Sequence, residues 1–157
     1  MGTVKLEAVL ADSAAGSRVE FEFLNLVPTR LSRQELIDLP YWMDVKCTVR
    51  TPERNWTGSG PVMTAQDLDF WVAQLLIWAG WPEMEQETEF FEPTLTVVKK
   101  RTLGPTLRID FGFSDDYHPN RGQEDPLWVS FEIAPEDLVR FAGELRNALT
   151  TIAPTLA

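Results

Sequence analysis

One place in the chain brings carboxylates and an imidazole together: Asp115-Asp116-Tyr117-His118. A carboxylate beside a histidine can transfer protons or ligate a metal ion. His118 is the sole histidine, so a two-histidine metal site cannot form. The tetrapeptide also lies in DDYHPNRGQED, a run of turn formers where aspartate commonly bonds its own backbone. Asp110-Phe111-Gly112 spells a kinase tripeptide, but no glycine-rich loop or catalytic-loop motif accompanies it. Gly58-Ser59-Gly60 opens no phosphate loop, since no Lys-Ser/Thr pair follows. No Gly-x-Ser-x-Gly elbow occurs either. Cys47 alternates with Val45 and Val49, the setting of a buried small apolar residue rather than a nucleophile. As the only cysteine, it excludes an internal disulfide and any multi-cysteine metal site. The expectation is a protein without catalytic residues, cofactor or metal, and not an enzyme.

A different chemistry is offered by Glu83, Glu85, Glu87 and Glu89, which occupy alternate positions. In an extended segment they would project from one face about 6.6–6.8 Å apart, twice the strand rise. Such a row can be a charged edge strand that resists edge-to-edge pairing. It can also be an anionic ladder that captures a basic protein surface, with Trp81 and Phe90 or Phe91 as anchors. The chain as a whole carries 24 acidic against 14 basic residues, a net charge of −10. Direct nucleic-acid binding is not expected, because the only basic run is Lys99-Lys100-Arg101. Surplus acid promotes solubility and favours basic partners. Aromatic bulk suggests an alternative of another class: a ligand-binding domain or small enzyme with a pocket built from Trp42, Trp56 and Trp128.

These residues must be positioned by a scaffold, and 157 residues suit a single domain spanning 1–157. No stretch approaches the roughly 20 apolar residues of a membrane-spanning helix. The N-terminal MGTVKLEAVLADSA lacks a basic region and an apolar run, so no signal peptide is expected and the address is cytoplasmic. Residues 3–11 and 18–27 alternate in period two about a Ser13–Ser17 turn. Ser32-Arg33-Gln34-Glu35 suggests a short helical turn to Leu39. Residues 41–50 return through NWTGSGPVM, a glycine-marked strand expected to bulge.

That strand feeds TAQDLDFWVAQLLIWAG, a helix capped by Thr64 with Asp67 in the capping-box position. Leu68, Trp71, Val72, Leu75 and Ala79 form its stripe, widened by Phe70, Leu76 and Ile77. So apolar a helix should be covered on more than one side. Strands follow at 94–100 and 106–114, and then one with Leu127, Val129, Phe131 and Ile133 facing inward. The last helix, Pro135 to about Ile152, should bury Leu138, Phe141, Ala142, Leu145, Leu149 and Ile152.

Residues 66–75 and 136–145 align at a constant offset, pairing Asp67 with Asp137, Leu68 with Leu138, Trp71 with Phe141 and Leu75 with Leu145. Each helix is entered from a strand, so the chain reads as two pseudo-duplicated strand–strand–helix units. Antiparallel hairpins followed by helices predict an α+β fold: a curved antiparallel sheet of about six to seven strands with two helices packed on one face.

From about Tyr41 to Leu149 this arrangement resembles the WapI-type immunity proteins, small bacterial antitoxins paired with contact-dependent or polymorphic toxins. The likeness runs through the paired strands leading into TAQDLDFWVAQL, the acidic stretch with Glu87–Phe91, TLRIDFGFS, a loop, and LWVSFEIAPEDLVRFAGEL. It implies a binding protein that blocks a toxin domain, often a nuclease, without catalysis of its own. The expected partner is a basic toxin domain. Its cationic substrate groove would receive Trp81, Glu83, Glu85, Glu87 and Glu89, with Asp115 and Asp116, from a monomer or weak dimer of this chain.

Overall fold

A computed structural model describes residues 6–24, 42–81, 83, 85–89, 94–102 and 104–152, with backbone alone at 42, 86–89 and 152. The first sheet is an antiparallel meander of β1 (Leu6–Asp12), β2 (Ser17–Leu24), β3 (Trp42–Arg50) and β4 (Asn55–Thr64). Helix α1 (Ala65–Ala79) follows without a loop. A second antiparallel sheet has the order β5 (Gln86–Glu89), β6 (Leu95–Lys100), β7 (Leu107–Phe113) and β8 (Leu127–Ile133). Helix α2 (Pro135–Ile152) ends the described chain. The α+β class, the antiparallel pairing and the two helices are as the sequence predicts.

Among the described residues eight strands divide between two sheets, where one curved sheet is expected from the sequence. The physical reason lies at the facing edges. Strand β1 also lies beside β8, yet the backbones are joined there through a side chain. Asp12, at the end of β1, accepts from the Glu132 N–H of β8 at 2.9 Å through one carboxylate oxygen. Its other oxygen caps the Ala15 N–H in the β1–β2 turn at 3.1 Å. Glu144 of α2 accepts from the Val9 N–H at 3.1 Å, so part of the β1 edge is occupied by a helix side chain.

Alternation gives each sheet one apolar face, and those faces share a core. Phe21 of β2 sits at its centre, 5.5 Å from Trp71 of α1, 6.0 Å from Phe141 of α2 and 6.2 Å from Phe111 of β7, centroid to centroid. The edge-to-face Phe21–Trp71 contact is a favoured aromatic geometry. Trp71 and Phe141, aligned in the sequence, themselves meet at 5.6 Å and 82°.

Thr64 and Asp67 form the expected capping box, with Asp67 N–H donating to Thr64 Oγ1 and Thr64 N–H donating to Asp67 Oδ2. The expectation that α1 is covered on more than one side is not met. Leu68, Trp71, Val72, Leu75 and Trp78 are buried, whereas Phe70, Leu76 and Ile77 are exposed. The core accommodates one stripe of the helix, and α2 packs along it. Strand β4 bulges as expected, its register with β3 shifting between Met43 and Asp44. The turn expected at Ser32–Leu39 lies outside the described residues, as do Phe90 and Phe91.

Candidate partner-binding surface

Trp81 follows the C-cap Gly80, and its N–H still donates to the Trp78 carbonyl at 3.1 Å, so it extends the helical path. It is exposed, as are Glu83 and Glu85. The acidic stretch is strand-like only from Gln86, where β5 pairs Glu87 with Val98 and Glu89 with Thr96. Glu83 lies in a turn and Glu85 precedes the strand. An unbroken ladder of four therefore does not form: two glutamates are in register on an edge strand and two approach it from the end of α1.

Beside them is the first residue of the basic run Lys99-Lys100-Arg101. Lys99 is buried on the inward side of β6, opposite Ile109, and its Nζ donates to the Lys100 carbonyl at 3.3 Å. Burial pushes the pKa of its ammonium down, and the negative charge of Glu85 opposes that shift. Glu85 is thus tied electrostatically to the interior, while Glu83 has no such tie among the described residues. Helix α1 has no basic residue in its last turn. Its exposed carbonyl end carries partial negative charge, and the glutamates beyond add to it.

Asp115 and Asp116 belong to a different part of the molecule. They form a 3₁₀ turn with Tyr117, between β7 and β8, that rests on β4. Asp115 adopts φ 49°, a left-handed conformation that few residue types tolerate. Its carbonyl accepts from the His118 and Gly122 N–H groups and its own N–H donates to Gln123, so it organises the loop. Asp116 is seated against Gly58 and Gly60, where any Cβ would collide with its carbonyl or carboxylate. Arg121 Nη2 reaches its carboxylate at 3.4 Å.

Tyr117 closes the arrangement from within. Its hydroxyl donates to the Val45 carbonyl at 2.8 Å, and its own carbonyl accepts from Trp56 Nε1 at 2.8 Å. Burial first, then the proximity of Cys47 and Asp116, raises the Tyr117 pKa well above its ordinary value. His118 Nδ1 accepts from the Asn120 N–H at 2.9 Å. The one carboxylate–imidazole cluster of the sequence therefore fastens a loop to a sheet. Among the described residues no hydrogen bond or ion pair joins Asp115 or Asp116 to Trp81, Glu83 or Glu85.

Two of the three tryptophans proposed for a pocket do come together. A cleft of about 400 Å³ opens beside Trp56 and Trp128, with Ser17, Thr51, Arg54 and Ser130 on its walls. Trp128 lies across Gly112, its partner in register, where an added Cβ would stand 3.0 Å from the indole ring. Trp42 is at the far end of β3, opposite Thr64, whereas Trp56 pairs with Val49.

With the geometry established, comparison with known proteins decides the family. Residues 10–152 match the Immunity protein WapI-like family. The chain belongs to that family. No curated protein and no solved structure matches it. The family match takes in the end of β1 and all of β2, both absent from the stretch that carried the sequence resemblance, and so reaches both sheets and both helices. Membership in the WapI-like family makes a toxin the general class of partner. Among the described residues, no helix is long and apolar enough to cross a membrane.

The signal that sequence reasoning misjudged is the width of the α1 stripe. Phe70, Leu76 and Ile77, which the sequence reading takes as widening the buried stripe, are exposed. Periodicity reports which residues seek cover, not which molecule supplies it.

Proposed function

We propose that this chain is an immunity protein that neutralises a cognate bacterial toxin domain by binding it directly, with no catalysis of its own. The family match over residues 10–152 carries the reading. A net charge of −10 supports a basic toxin domain as the partner. The proposed surface is the acidic stretch of Trp81, Glu83, Glu85, Glu87 and Glu89, which enters the cationic groove of the toxin. Asp115 and Asp116, proposed for the same surface from sequence, are engaged in holding their loop, so their substitution is expected to act mainly through stability.

The test is inhibition of the toxin encoded beside this chain, measured with purified proteins. Glu83→Lys with Glu87→Lys and Glu89→Lys should weaken binding on the order of 10–100-fold, mostly through slower association. Glu85 is left intact there because a lysine would face the buried Lys99. Unchanged inhibition by the triple variant would remove this surface from the account. Absence of inhibition by the unaltered chain would remove the function itself.

The Trp56–Trp128 cleft favours a second reading, a ligand-binding domain that stacks a planar or sugar ring on Trp128. Saturable quenching of tryptophan fluorescence by such a compound, lost in Trp128→Ala, would support it. A linear, non-saturating response in both proteins would end it.

A further inference from the structure

Among the described residues six large apolar side chains are exposed, and four of them fall within the twelve positions Phe70–Trp81. Phe70 is 56 % exposed, Leu76 38 %, Ile77 47 % and Trp81 59 %. Phe70, Ile77 and Trp81 are seven and then four residues apart, which places them along one side of a helix. The Trp81–Trp78 backbone bond keeps the last of them on the helical path. Single exposed apolar residues are ordinary on a protein surface, but several along one side of a helix with an aromatic at each end have the composition of an interface centre.

Charge indicates what covers the row. It ends at the carbonyl terminus of α1, which has no basic residue in its last turn. Exposed Glu83 and Glu85 follow immediately. Negative side chains beside a helix C-terminus are unfavourable in the free protein, and a cation placed there relieves the repulsion. An apolar stripe with an anionic end fits a partner whose groove is apolar and rimmed by lysine or arginine.

We propose that the outer side of α1 is the apolar centre of the toxin-docking surface: Phe70, Ile77 and Trp81 insert into an apolar groove on the toxin domain, and Glu83 and Glu85 meet its basic rim. This rests on the proposed immunity function and goes beyond the acidic stretch by adding Phe70, Leu76 and Ile77. The contact is helix-in-groove, with anchors on one helical face and charge setting its direction.

The experiment uses the full chain and the purified toxin domain encoded beside it. Affinity and inhibition are measured for the unaltered protein, Phe70→Ser, Ile77→Ser and the control Val139→Ser. Val139 is an exposed apolar residue of α2, outside the proposed surface. Phe70→Ser and Ile77→Ser should each weaken binding on the order of 100-fold, as loss of a buried anchor does. Their melting temperatures should match that of the unaltered chain, and Val139→Ser should bind normally. If the unaltered chain inhibits the toxin and both α1 variants inhibit it equally well, the docking assignment is overturned while the immunity function stands. If the unaltered chain does not bind the toxin, the function fails and the assignment with it. A concentration-dependent dimer of the unaltered chain that Phe70→Ser disperses would make a second copy the occupant and also overturn the assignment.

Discussion

Helices α1 and α2 hold equivalent places in the chain, each entered from the last strand of a four-stranded antiparallel sheet, yet their outer sides differ. Inside, they agree. Trp71 and Phe141, at matching positions, touch each other and both touch Phe21. Outside, α2 presents Arg140, Gly143, Arg146, Asn147 and Thr150 to solvent, with Val139 the one exposed large apolar residue among its described side chains. Helix α1 presents Phe70, Leu76 and Ile77 and runs on into Trp81. The shared inner face is set by one core. The unshared outer face is where the proposed docking surface lies.

The strongest challenge to the inner likeness is truncation at the matched positions. Trp71→Ala and Phe141→Ala should each cost about 3–5 kcal/mol in urea denaturation, because both leave a cavity against Phe21. A large loss at one position alone would show that the two helices do not share the core equally.

The two sheets also differ, and glycine reports how. In the first, Gly58 and Gly60 make room for Asp116; in the second, Gly112 makes room for Trp128. Gly58→Ala pushes a methyl group into the Asp116 backbone carbonyl, so destabilisation of about 2–3 kcal/mol is expected by chemical denaturation. Gly60→Ala meets the Asp116 carboxylate, which can rotate away, and should cost less. Equal losses would indicate that the turn does not rest on β4 in this way.

Tyr117→Phe removes the buried bond to the Val45 carbonyl and should cost about 1–2 kcal/mol. Its pH dependence has a definite sign. The folded pKa of Tyr117 lies above the unfolded value, so its contribution is complete below an ordinary phenol pKa of about 10 and is lost as pH rises toward the folded one. Cys47, whose thiol is also pushed up by burial, acts in the same direction, starting from an ordinary thiol pKa of about 8.5. Stability of the unaltered chain should therefore fall from about pH 8.5 upward. Denaturation curves for Tyr117→Phe should fall less steeply above about pH 10.

The smallest effect is on the outer faces themselves. Ile77→Ser and Val139→Ser should each change folding stability by no more than about 0.5 kcal/mol, since neither side chain is in the core. A much larger loss for Ile77→Ser would place that side chain in the fold rather than on a docking surface.

What the residues alone disclosed follows from how local each feature is. The capping box at Thr64 and Asp67, the alternation of β2 and β7 and the buried stripe of α2 are written in neighbouring positions, and all were legible. The separation into two sheets depends on Asp12 meeting Glu132, far away in sequence. The meaning of Gly58 and Gly60 depends equally on Asp116. Lys99 gave no sign of being buried because its neighbours Lys100 and Arg101 are charged and exposed. The acidic stretch was legible as charge, but its apolar neighbour on α1 was not, because a row of large apolar residues looks the same whether the protein itself or a partner covers it.

Hydroxyl-radical footprinting of this chain, free and bound to its proposed toxin partner, tests the difference between the two helices most directly. Oxidation of Phe70, Ile77 and Trp81 should drop sharply in the complex, while Val139 and Trp128 keep their free-state labelling. Protection of Val139 or Trp128, with Phe70, Ile77 and Trp81 still labelled, would contradict the account.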